Sequence, residues 1–88
     1  MIRSFRTRVG LYTLDKQPAA TADCLLSVEM QPFTLSRWFG TLKNLDPASP
    51  RAGRYLMRFP NRQVREVELG RDELLGCPFT GVGELPLP

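Results

Sequence analysis

The chain has 88 residues, 42% of them apolar and eight of them aromatic, with twelve Lys or Arg against nine Asp or Glu for a net charge of +3. Such a composition builds one domain with a real core and excludes a wholly disordered chain, and so small a charge permits attraction to nucleic acid or an acidic protein surface without demanding either. There is no histidine, and the only cysteines are Cys24 and Cys77, which removes Ser-His-Asp and Cys-His catalysis and most zinc sites.

Phe5, Thr7, Val9, Leu11 and Thr13 fall on one face of an extended segment and Arg6, Arg8, Gly10 and Tyr12 on the other, which predicts a first strand over 5–14. Lys16-Gln17-Pro18-Ala19 breaks that pattern. Cys24, Leu26, Val28 and Met30 then alternate with Asp23, Leu25, Ser27 and Glu29, predicting a second strand antiparallel to the first, with Arg6 or Arg8 beside Glu29. Pro32 ends it, and Thr34 is a suitable N-cap for a helix in which Leu35, Trp38, Phe39, Leu42 and Leu45 recur at spacings of three and four. An amphipathic helix over 35–45 is therefore expected, with Phe33 and Trp38 as a hydrophobic staple, Gly40 on its polar side and Asp46-Pro47 as its stop.

After a Ser, Pro, Arg and Gly loop at 48–53, Tyr55, Met57 and Phe59 alternate with Arg54, Leu56 and Arg58 as a third strand. Pro60-Asn61-Arg62 reads as a three-residue loop into a fourth strand over 64–69. That loop length sets Tyr55 opposite Val67, Met57 opposite Arg65, Leu56 opposite Glu66 and Arg54 opposite Glu68, a register that agrees with the charges. Residues 71–75 fit a short helical turn, and 77–88 read as an irregular Pro/Gly-rich tail that is neither helix nor central strand.

The expected fold is thus α+β: β-β-α-β-β, a four-stranded antiparallel sheet with one helix on one face, comprising a domain over 1–76 and a tail over 77–88. Each predicted hairpin is followed by helical residues, an echo too faint to define a repeat.

No catalytic group emerges. Asp72 and Glu73 diverge on a helical turn, Glu66 and Glu68 serve as partners for Arg54 and Arg58, and Cys77 in its Gly-Cys-Pro context lacks an activating base and reads better as a structural thiol. No metal or cofactor is expected. Two cysteines that read most simply as free thiols, with a Cys24–Cys77 disulfide left open, no secretory signal and no apolar run of about 18 residues predict a cytoplasmic protein off the membrane.

Ten of the twelve basic residues are arginines, suited to planar bidentate contacts. The expected function is a non-enzymatic protein-binding module, an inhibitor or adaptor of the kind phages and mobile elements use, with Arg37, Arg51, Arg54, Arg58 and Arg62 as contacts and Trp38 structural. A homodimer is a further arrangement open to it. Outer-face Leu25 and Leu56, and Phe79, Val82, Leu85 and Leu87 of the tail, add apolar surface. The alternative is a sequence-tolerant nucleic-acid binder using Arg6, Arg8, Tyr12, Arg54 and Arg58, weakened by Glu29, Glu66 and Glu68 on the same face.

Overall fold

Period-two alternation governs most of the described strands. A computed structural model describes residues 2–30, 37–46, 51–71 and 76–83, and every regular element among them is a strand: β1 (Ile2–Tyr12), β2 (Pro18–Glu29), β3 (Arg37–Asp46), β4 (Gly53–Arg58), β5 (Val64–Leu69) and β6 (Cys77–Val82). All neighbours run antiparallel, and the sheet closes on itself in the order β1-β2-β3-β6-β5-β4. The inward positions fill the barrel: Val9 and Leu11; Ala20, Ala22, Cys24, Leu26 and Val28; Trp38 and Leu42; Met57; Val67 and Leu69; Cys77 and Phe79.

Two expectations are corrected. The helix over 35–45 is instead β3 over the residues described, and the four-stranded α+β sheet is a six-stranded all-β barrel. The reason lies in a bulge. Asp23 pairs with Lys43 and Thr21 with Asp46, so β3 spends one more residue than β2 between these points, and Asn44 takes a φ of 54° there. The extra residue turns Leu45 back towards the core after Trp38 and Leu42. Inward positions 38, 42 and 45 thereby copy the four-three spacing of a helix, and the inward Gly40 between the first two leaves no apolar side chain to betray the alternation.

The irregular tail is likewise corrected over Cys77–Val82, which is β6, lying between β3 and β5. Proline is tolerated there because an extended residue points its N–H and C=O to the same side. The carbonyl of Pro78 accepts from the Gly70 N–H at 2.9 Å, on the β5 side, so the missing N–H also lies on that side, at the end of the β5–β6 ladder, and costs the β3 ladder nothing. The expected helical turn at 71–75 falls largely outside the described residues, as do Thr34, Leu35, Phe33 and 84–88.

The β4–β5 register is as the loop length predicts: Tyr55 faces Val67, Met57 faces Arg65, Leu56 faces Glu66 and Arg54 faces Glu68. The β1–β2 pairing is also antiparallel, but Arg8 faces Asp23 and Ile2 faces Glu29, so the expected Arg6 or Arg8 pair with Glu29 does not form. Glu29 pairs instead with Arg37 at 2.8 Å, a partner visible only once β3 is a strand beside β2.

The barrel is built from two copies of one β-β-β plan. Both hairpins turn identically: Lys16 N donates to Thr13 O and Thr13 N to Gln17 O, as Arg62 N donates to Phe59 O and Phe59 N to Gln63 O, with Lys16 and Arg62 both at φ 70°. At the β1–β4 seam, the pair Gly10–Arg58 exchanges with Tyr12–Leu56 about Leu11–Met57, as an approximate two-fold axis requires. The copies differ in length, 11, 12 and 10 residues in β1–β3 against six in each of β4–β6. The surplus of β1 stands as an overhang at the end of the barrel where β1 begins, with Ile2–Val9 laid along Ala22–Glu29 of β2, whereas β3 runs past its β6 pairs mainly at the opposite end, through Lys43–Asp46.

Two glycines carry the close approaches. A Cβ on Gly40 would lie 1.9 Å from the Leu25 carbonyl oxygen, and one on Gly81 would lie 2.0 Å from two ring atoms of Trp38. Gly40→Ala and Gly81→Ala are each expected to destabilise the protein by about 1–3 kcal/mol through overpacking. Chemical denaturation measures this as a lower midpoint at unchanged slope; a variant matching the wild type would show that the strands have room to part.

Candidate functional site

β1 joins β4 through only three pairs, Gly10, Leu11 and Tyr12 with Arg58, Met57 and Leu56. Above them, Ile2–Val9 is paired with β2 on one side and, among the described residues, with no strand on the other. An unpaired edge of this length displays a row of backbone donors and acceptors. Beside it sit exposed apolar side chains, Ile2 at 62%, Phe5 at 44% and Leu25 at 39% relative exposure. Phe5 is on the inward-facing surface, opposite Leu26, while Ile2 is on the outward one, so apolar groups flank the edge from both faces.

The overhang has a braced base. Asp23 accepts from Arg8 Nη1 at 2.8 Å and from Asn44 Nδ2 at 2.7 Å, and Arg8 Nη2 donates to Thr21 Oγ1 at 3.1 Å, so one carboxylate ties β1, β2 and the bulge of β3. Those bonds, from Asn44 first and then Arg8, hold the Asp23 carboxyl below its usual value of 3.8. Higher up, Ser4 and Ser27 share a hydrogen bond at 3.2 Å, and Arg37 grips Glu29.

The arginines expected as contacts are dispersed. Arg54 lies on the outer face of β4 and pairs with Glu66 at 2.8 Å; Arg58 lies further along the same face, exposed, with no ion pair among the described residues. Arg51 precedes β4, its carbonyl accepting the Tyr55 hydroxyl at 2.8 Å, and Arg62 sits in the β4–β5 turn at the other end. Arg37 is on β3, three strands away around the barrel in either direction. These five therefore do not make one patch. The alternative set is brought together: Arg6, Arg8 and Tyr12 occupy the outer face of β1 and Arg54 and Arg58 that of β4, on one wall across the seam. The Tyr12 ring lies against Gly10, where an added Cβ would come within 3.2 Å of it.

Sequence reasoning missed Ile2 and Phe5. Their signal was present, since two large apolar residues three apart on a strand must lie on opposite faces, which is unusual for a strand with one wet side.

Neither cysteine offers an exposed nucleophile. Cys77 is fully buried with Sγ 3.5 Å from the Gly70 carbonyl, and Cys24 is buried with its pKa pushed up by desolvation to about 12. Among the described residues no three His, Cys, Asp or Glu side chains gather to hold a metal ion. No protein-family model matches the chain, and neither a curated protein nor a solved structure is significantly similar to it.

Two outcomes follow. At pH 8 the thiols of the folded protein should resist alkylation, reacting at the rate of global unfolding, whereas the denatured chain should label within minutes; fast labelling of native Cys24 would contradict its burial. Asp23, with its folded pKa depressed, contributes stability that is present above its unfolded value near 3.8 and is lost as pH falls through the folded value. Carboxyl NMR titration should find Asp23 below the ordinary range and Asn44→Ala should raise it.

Proposed function

We propose that this chain is a non-enzymatic protein-binding module, a stoichiometric inhibitor or adaptor, that engages its partner through the overhang of β1 and β2. The observation that carries the reading is the one-sided pairing of Ile2–Val9, flanked by exposed Ile2, Phe5 and Leu25. Edge strands are usually short, bulged or covered, because a long bare edge recruits other strands. Here β4, β5 and β6 close the barrel with six residues each and β1 meets β4 through three pairs, so the length of β1 beyond that seam serves no need of closure. Trp38, Phe59 and Phe79 fill the same end of the barrel, which leaves the surface rather than the interior to do the binding.

A specific observation also favours a second reading, a sequence-tolerant nucleic-acid binder. Arg6, Arg8, Tyr12, Arg54 and Arg58 share one outer wall, and two of these arginines, Arg6 and Arg58, carry no ion pair among the described residues. Against it stands the engagement of Arg8 by Asp23 and of Arg54 by Glu66, which spends part of the positive potential that phosphates require.

Photo-crosslinking separates the two. A benzophenone side chain placed at Phe5 should give a discrete, nuclease-resistant protein conjugate in cells of the source, while the same group at Leu56 on the seam should not. Nuclease-sensitive conjugates from Leu56, with none from Phe5, would overturn the protein-binding reading in favour of nucleic acid.

A further inference from the structure

Resting on the protein-binding reading, we propose that the occupant of the β1 edge is an extended acidic strand of the partner, added beside Ile2–Val9, with carboxylates facing Arg3 and Arg6 and apolar side chains facing Ile2 and Phe5. The edge offers eight residues, about 26 Å of backbone at strand spacing. Once water is displaced, its outward N–H and C=O groups are satisfied together and in register by another extended backbone, whereas a phosphate chain, which only accepts, would leave the carbonyls unmet.

The side chains then specify the strand. On the inward face β1 presents Arg3, Phe5 and Thr7, and on the outward face Ile2, Ser4, Arg6 and Arg8. Each face thus offers an apolar group and an arginine with no ion pair among the described residues, Phe5 with Arg3 and Ile2 with Arg6. The nearby carboxylates are already engaged, Asp23 by Arg8 and Asn44 and Glu29 by Arg37. Reading antiparallel to β1, a fitting strand places an acid opposite Arg6, an apolar residue opposite Phe5, a small polar one opposite Ser4, an acid opposite Arg3 and an apolar residue opposite Ile2. A second copy of this chain fits poorly, because joining two β1 edges sets six arginines on one seam, and only the two Arg8 side chains arrive with a partner.

The test uses the full chain, labelled for amide NMR, and the acetylated hexapeptide Thr-Glu-Val-Ser-Glu-Val. The peptide should shift and protect alternate amides within residues 2–9 and no others, and methylating its alternate backbone nitrogens should abolish binding. Replacing both glutamates by lysine should weaken it by about tenfold, the scale of a few exposed charge pairs. The double variant Arg3→Glu/Arg6→Glu, at exposed positions that leave the core untouched, should reverse that preference. Equal affinity for the acidic and lysine peptides, with β1 still protected, would overturn the acidic chemistry while leaving edge docking in place. Protection of β1 that instead depends on protein concentration, with a doubled mass by light scattering, would overturn it in favour of a second copy. Protection by an oligonucleotide and not by the peptide would overturn it in favour of nucleic acid, and failure of both the peptide and the Phe5 crosslink would remove the protein-binding reading as well.

Discussion

One indole ring holds this barrel shut. Trp38 comes from β3, lies on the bare backbone of Gly81 in β6, packs against Phe79 of β6 and Phe59 at the end of β4, and donates its Nε1–H to the Gly83 carbonyl at 3.3 Å. It is 2% exposed. A side chain of this size in a barrel of six strands fills the interior at that end, with its polar atom satisfied as burial requires. Glycine at 81 follows from the ring's position, since any Cβ there would overlap it. The interior is therefore spent on packing.

The same contact explains the open edge. Phe59 is drawn inward to Trp38, and the chain turns at once through Pro60, Asn61 and Arg62 into β5. β4 can thus follow β1 no further than Arg58 opposite Gly10. N-terminal to that point β1 keeps β2 as a neighbour and, among the described residues, has no strand on its other side. Closing the barrel and baring the edge are one event, and the Asp23 hub with Arg8 and Asn44 is what stiffens the strands that project past the closure.

Four of the six strands could be read in the chain but the all-β barrel they build could not, and the parts that could not share a cause. The inward alternations of β1, β2, β4 and β5 were plain because Val9 and Leu11, Cys24 and Leu26, Met57, and Val67 and Leu69 keep an unbroken period of two. The β4–β5 register followed from a three-residue turn alone. β3 and β6 defied reading because their cues are non-local. Gly40 is inward for the sake of Phe79 on β6, the bulge at Asn44 shifts Leu45 into helical spacing, and Gly81 is bare for the sake of Trp38 on β3. Each of these two strands looks irregular by itself and becomes regular only against the other. The free edge of β1 was illegible for the same reason: whether a strand has a free edge depends on where its neighbours stop, and that was set by Phe59 and Trp38, far away in sequence.

An edge left bare must still avoid indiscriminate pairing, and the positions of the arginines bear on that. Arg3 sits on the inward face of an edge strand, where a buried neighbour would strand its charge, and Arg6 sits on the outward face one pleat further along. Charges so placed penalise an apolar strand, which would desolvate them without return, and penalise a copy of themselves by repulsion. They favour only a strand that brings its own carboxylates. Arginine suits this role better than lysine because its planar fork is less strongly hydrated and meets a carboxylate in two bonds. In the proposed docking the overhang would combine a backbone surface with little selectivity and a pair of side chains that restore it, so that discrimination among partners would rest on Arg3 and Arg6 while the ladder would supply the adhesion.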